Sequence, residues 1–310
     1  MQGETMKIFN AIIILFLPLV PKFIVRIFAD RYIAGPNLDD AVRSVKYLNG
    51  KGICATLDVL GEAVTKWDQV EQEVTNYKEV LDAIETHNLD GNASIKPTAF
   101  GLAMDYDRAK GYIAEVVAYA KSKNNFVRLD MENVPYTDDT LRMYRELREE
   151  FGEQYVGTVL QSYLRRTPDD SLELAKDKAN LRLCKGIYVE DRKYAYKDMA
   201  CINRNFVEIL EILLGGGSYV GIATHDEKLI QEGLRIARKL GLKRDQFEFQ
   251  MLLGVDQELR DIITESGYRM RIYVPFGKHW YAYSTRRLRE NPNMAGQTFK
   301  ALFKPYNKFD

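Results

Sequence analysis

The feature that most constrains this chain is a regular alternation of short β-type runs with longer segments of helical period. The short runs are Ile53–Leu60, Ala93–Lys96, Phe126–Met131, Val156–Leu160, Leu181–Cys184, Val220–Ala223, Phe247–Met251 and Arg271–Val274. Between them lie the helical patterns Val64–Thr86, Asp107–Lys121, Thr137–Phe151, Pro168–Ala179, Tyr194–Leu214, Glu227–Leu240 and Asp256–Ser266. An earlier helix opens at Asn37-Leu38-Asp39-Asp40, whose side-chain oxygens can cap it, and stops at Asn49-Gly50. About eight strands, each followed by a helix, is the pattern of a (β/α)8 barrel. A doubly wound sheet would alternate in the same way, but no G-x-G-x-x-G follows the first strand. The expected fold class is therefore α/β, a (β/α)8 TIM barrel with extra N-terminal helices. Residues 1–50 form the N-terminal helical segment and residues 51–310 the barrel. A length of 310 residues with 46% apolar content suits one such barrel.

Charge and cysteine usage narrow the function classes. Lys and Arg balance Asp and Glu at 44 each, so no global basic field recommends nucleic acid as a partner. Cys54, Cys184 and Cys201 are an odd number without CxxC spacing, which argues against a disulfide framework or zinc site and fits a reducing cytoplasm. With three histidines, His87, His225 and His279, no metal-ligand spacing is present and no metal is expected. Ile8–Val25 is nearly all apolar but is broken by Pro18 and Pro21 and contains Lys22. A spanning helix needs roughly 20 continuous apolar residues. The segment reads instead as a helix packed on the domain or lying at a membrane surface.

In an α/β barrel, function collects at the carboxyl ends of the strands. Those positions here are Asp58, Lys96, Asp130 with Glu132, Gln161, Lys185, His225 with Asp226, Gln250 and Tyr273. Any one of them could be a turn or cap residue, but their repetition at one place in each unit implies a polar-lined mouth roomy enough for a cofactor and a substrate. Alternation puts Asp130 and Glu132 on one strand face, and Arg182 with Cys184 on one face against Leu183 with Lys185. Lys185, followed by Gly186, reads either as a Schiff-base lysine or as a cation beside a cofactor. His225 reads equally as a structural histidine or a base.

After the last strand, a Pro-Phe-Gly turn leads into a helical pattern dense in aromatics and arginines. Tyr283, Arg287 and Glu290 fall at i, i+4 and i+7, one helix face, with Arg286 about 100° round from Arg287. Two guanidiniums side by side suit a carboxylate clamp, although a solvated basic helix end has the same composition.

With these motifs laid out, the chain resembles the proline dehydrogenase family, in its short, monofunctional form. The matching segments SIKPTAF, RLDMEN, VLQSY, RLCKGIY, ATHD, FEFQMLLG, RIYVPFG and WYAYSTRRLREN occur in the family's order from about Ser94 to Asn293. The resemblance implies a distorted barrel with FAD over its mouth. It also implies oxidation of L-proline to Δ1-pyrroline-5-carboxylate by hydride transfer from C5 to flavin N5, with electrons passed to a quinone. Gln161, Lys185, Gly186, Ile187, Thr224 and His225, with the backbone at Met131, match flavin-contacting positions. Arg182 matches an arginine at the flavin ring and Asp130 an acid of the active site. Lys96, Tyr273, Tyr283, Arg286 and Arg287 match the proline pocket, with Glu290 paired to the arginines and Tyr188 and Leu252 lining it. On this resemblance the C-terminal helix closes over the substrate, and the apolar N-terminal stretch suits peripheral contact at the inner face of the membrane. Two departures lie beside the expected cofactor, Asp226 where many relatives carry Asn and Ile187 where Ala is usual. The Tyr273 phenol is expected to crowd a 4-hydroxyl on the ring, giving a preference for proline over hydroxyproline.

Overall fold

The computed structural model describes residues 22–61, 64–281 and 283–285. Eight parallel strands close into a barrel in sequence order. They are β1 (Cys54–Val59), β2 (Gly91–Ile95), β3 (Val127–Leu129), β4 (Val156–Gln161), β5 (Asn180–Cys184), β6 (Tyr219–Ala223), β7 (Phe247–Leu252) and β8 (Met270–Phe276). Closure is made by β1 against β8, with Thr56 opposite Tyr273 and Asp58 opposite Pro275. Pro275 thus extends the last strand beyond the expected turn. It has no N–H to give, and its carbonyl accepts from Ala34 N at 2.8 Å.

Two helices, α1 (Lys22–Tyr32) and α2 (Leu38–Gly50), precede the barrel. The Asp40 carboxylate accepts from Asn37 N at 3.0 Å, one half of a capping box. The outer helices are α3 (Trp67–Thr86), α4 (Tyr106–Ser122), α5 (Thr137–Phe151), α6 (Thr167–Lys176), α7 (Met199–Gly215), α8 (Glu227–Lys239) and α9 (Gln257–Glu265). Each turns an apolar stripe onto the strands; in α5 the buried face includes Leu141, Tyr144 and Leu147. The expected helix Tyr194–Leu214 begins five residues late. Tyr194 N turns back to Asp191 O, Ala195 bridges to Leu164, and the helix starts only where Asp198 accepts from Cys201 N.

The apolar core lies between strands and helices, whereas the barrel axis is polar. Branched aliphatics usually fill such an interior; here Thr56, Asn92, Arg128, Glu248 and Gln250 are buried in the strands. No described helix is long and apolar enough to cross a membrane. The apolar stretch Ile8–Val25 lies outside the described residues up to Pro21, and its last residues begin α1.

Candidate active site

Strands β1, β2, β3, β5, β7 and β8 converge on one ionic cluster at their carboxyl ends. Arg182 from β5 donates to Asp130 at 2.7 Å through one guanidinium nitrogen and to Gln250 Oε1 at 2.6 Å through Nε. The other Asp130 oxygen accepts the Tyr273 hydroxyl at 2.8 Å, and Ser94 donates to the first at 2.7 Å. Lys96 pairs with Asp58 and lies 3.4 Å from the Tyr273 hydroxyl. The Arg182 guanidinium sits 5.0 Å from the centroid of the Tyr273 ring, within cation–π range.

The electrostatics follow from burial and these contacts. Burial opposes ionisation of Asp130, but Arg182, Lys96 and the hydrogen bonds from Ser94 and Tyr273 outweigh it and hold the carboxyl below its usual range. For Lys96, burial favours the neutral amine, yet Asp58 and Asp130 keep the ammonium above the ordinary lysine value. Burial and the two carboxylates push the Tyr273 phenol well above its usual range, so it remains a donor at neutral pH.

Beneath the cluster lies a second ionic layer. Glu248 binds Arg271 at 2.7 and 3.2 Å, and Arg271 also reaches Ala55 O and Asn92 Oδ1 at 2.9 Å. Arg128 is spent on Thr158 O, Asn180 O and Asn180 Oδ1 at 2.8–3.0 Å. Gln250 joins the layers, because its Nε2 donates to Glu248 at 2.7 Å while its Oε1 accepts from Arg182. Gly221 on β6 makes room for it: a Cβ there would lie 2.2 Å from Gln250 Nε2. Burial raises Glu248, but Arg271 and its hydrogen bonds bring the carboxyl down to about 2.

The expected cofactor positions fall on an adjoining wall. Lys185 pairs with Asp226 at 2.8 Å. His225 Nε2 accepts from Leu252 N at 3.0 Å, and burial lowers the imidazole to about 4. That nitrogen is already engaged as an acceptor. Thr224 N donates to Gln250 O, and the Thr224 hydroxyl accepts from Asp226 N. Gln161 Nε2 reaches Met131 O at 3.3 Å, while its Oε1 is buried without a hydrogen-bond partner among the described residues. Gly186 has φ +101°, and a Cβ there would stand 2.2 Å from the Tyr163 ring, so only glycine fits. Ile187 and Tyr188 follow, half-buried, in the loop before α7.

One expectation changes. Asp130 and Glu132 do not share a strand face, because β3 ends at Leu129; Glu132 instead accepts from Thr98 N at 2.8 Å and Thr98 Oγ1 at 2.6 Å. It clamps the turn that follows Lys96. Tyr283 lies in a helical segment packed with Ala29 of α1, Ile33, Leu60 and Trp280. Arg286, Arg287 and Glu290 lie outside the described residues. The ion pairs of the lower layer went unread in the sequence, although charged or amide residues within otherwise apolar strands (Arg128 in β3, Glu248 and Gln250 in β7) were their signal.

A closed (β/α)8 barrel whose carboxyl-end mouth gathers a buried acid, arginine, lysine and tyrosine defines a barrel enzyme with a preformed small-molecule site. The proline dehydrogenase family model matches residues 41–300. Proline dehydrogenase 1 of Bacillus subtilis (strain 168) is 35% identical over 279 residues, covering 90% of this chain and 92% of its own. Proline dehydrogenase of Deinococcus radiodurans is 35% identical over 279 residues, covering 89% and 90%. Among solved structures, proline utilization A (PutA) from Bdellovibrio bacteriovorus inactivated by N-propargylglycine superposes with a TM-score of 0.79 at 25% identity. That match covers 89% of this chain and 34% of the other, so the chain spans about a third of that larger protein. The chain belongs to the proline dehydrogenase family, and it is an enzyme of that family.

Proposed function

We propose that this enzyme oxidises L-proline to Δ1-pyrroline-5-carboxylate with FAD as the hydride acceptor and a quinone as the onward electron acceptor, the first step of proline catabolism to glutamate. The observation that carries the reading is the buried Arg182–Asp130–Tyr273–Lys96–Asp58 cluster, assembled from five strands at the barrel mouth.

The residues present fit a flavin. The unpartnered Gln161 oxygen offers a buried acceptor, the Gly186 backbone leaves no side chain in the way, and the ion-paired Arg182 and Lys185 supply donors. Gln161, Lys185, Gly186, Ile187, Thr224, His225 and the Met131 backbone would hold FAD, with Arg182 at its ring. When bound, the flavin supplies the two-electron acceptor that no side chain can provide.

The chain's own groups bind and orient. Lys96, with Arg286 and Arg287, would take the proline carboxylate; Glu290 would hold the arginines; Tyr273, Tyr283, Tyr188 and Leu252 would pack the ring. Asp130 keeps Arg182 and the Tyr273 phenol in place, and with Asp58 gives the pocket a carboxylate side suited to the substrate amine. Peripheral contact of residues 8–25 with a membrane surface would bring the enzyme to its quinone.

Purified protein is expected to be yellow and to lose its visible flavin absorbance on addition of proline. A protein that stays colourless after incubation with FAD would overturn the reading. Arg286→Met or Arg287→Met should raise KM for proline strongly, by about 2–5 kcal/mol of lost binding, while flavin content holds. Loss of FAD with unchanged proline affinity would sink the clamp.

A further inference from the structure

The Lys185 ammonium does not stand alone on the cofactor wall. Asp226 Oδ2 accepts from it at 2.8 Å and from Asn203 Nδ2 at 3.1 Å, and the Met199 sulfur lies 3.8 Å from the same nitrogen. The other Asp226 oxygen accepts from Lys228 N at 3.1 Å and caps α8. One carboxylate therefore ties together the end of β5, helix α7 and the start of α8. Both side chains of the pair are 26% exposed, so the pair is half-screened and contributes little to stability. Burial raises the Asp226 carboxyl, but Lys185 and Asn203 outweigh it and keep the group ionised. An ion pair of this kind, worth little as a brace, matters most for the charge it presents to whatever lies beside it.

We propose that Asp226 is a positioning residue of the cofactor wall: it holds the Lys185 ammonium and cancels its charge, so that a flavin bound there meets a neutral pair. The inference rests on the reading of Lys185 as a flavin contact. A bare cation at that place would favour the electron-rich reduced flavin, and a bare carboxylate would disfavour it. The paired state leaves the potential between these limits.

Asp226→Asn separates charge from architecture, because asparagine caps a helix as well as aspartate does. The test is the reduction potential of the FAD-loaded protein, by equilibrium titration against a redox dye, in wild type, Asp226→Asn, Lys185→Met and the double variant. Expected are a positive shift for Asp226→Asn, a negative shift for Lys185→Met, and a double variant close to wild type. Lys185→Gln repeats the measurement if the methionine variant does not fold. If the lysine variant shifts the potential and Asp226→Asn does not, Asp226 is only a helix cap and the proposal is overturned. Shifts of one sign that add in the double variant also overturn it. If neither single variant moves the potential, the assignment of Lys185 to the flavin fails, and this inference with it.

Discussion

The two ionic layers along the barrel axis use the same residue types to different ends. In the lower layer the arginine donors that form hydrogen bonds meet backbone, carboxamide or carboxylate oxygens within the strands. Arg128 is anchored on Asn180 and Thr158, and Arg271 on Glu248, Ala55 and Asn92. In the upper layer the partners are side chains at the ends of strands, and Asp130, Lys96 and Tyr273 hold one another over the mouth. A buried charge satisfied by the fold is architecture. A buried charge satisfied by a neighbour at an open end can be re-used by a ligand that takes the neighbour's place. The lower layer should therefore answer to stability measurements and the upper one to kinetics.

The sharpest way to break this contrast is Glu248→Gln, which leaves Arg271 buried without its counter-charge. A carboxyl drawn from its ordinary value of 4.5 to about 2 corresponds to about 3 kcal/mol at 1.36 kcal/mol per pH unit. Denaturant unfolding should show a loss of that size with an unchanged m-value. The sign with pH is fixed: because the folded pKa is depressed, this stability is present above about pH 4.5 and disappears as pH falls towards about 2. Next comes Asp130→Asn, expected to lower kcat/KM for proline about 10²-fold, roughly 3 kcal/mol of transition-state stabilisation, with a smaller loss of stability than Glu248→Gln. If the asparagine variant unfolds as readily as Glu248→Gln yet keeps its kcat/KM, the two layers are not functionally distinct.

Tyr273→Phe removes one hydrogen bond to a carboxylate, worth about 1.5–3 kcal/mol, and should cost ten- to a hundredfold in kcat/KM. The same residue can be probed without mutation by comparing substrates. Proline should be preferred over 4-hydroxyproline, and equal kcat/KM values would show that the phenol does not crowd the ring. The smallest expected effect belongs to His225. Its pKa is depressed to about 4 from 6.5, so the unfolded chain binds the extra proton first and stability falls as pH drops through that window. His225→Gln should flatten that slope between pH 6.5 and 4, and an unchanged slope would place its origin elsewhere.

The barrel could be read from the chain because each strand is a short buried run and each helix a 3.6-period stripe, signals carried within a dozen residues. Thr137–Phe151 was readable to the residue. Tyr194 misled because its aromatic and apolar neighbours continue the helical pattern, while the Asp191 turn and the bridge of Ala195 to Leu164 are tertiary facts. At the mouth, the polar strand ends stood out, since function collects there in barrels. The partners did not: Arg182 finds Asp130 and Gln250 across the interior, 52 and 68 residues away. Only register decides such pairs. Glu248 and Arg271 escaped for a related reason, being charges inside strands that otherwise read as apolar.

The glutamine between the layers has one more consequence. Gln250 passes orientation from Glu248 to Arg182 through two hydrogen bonds, but a carboxamide neither gains nor loses a proton near neutral pH. It couples the layers mechanically and passes no proton between them. Along that link a proton taken up by Glu248 cannot pass on to Arg182 and Asp130.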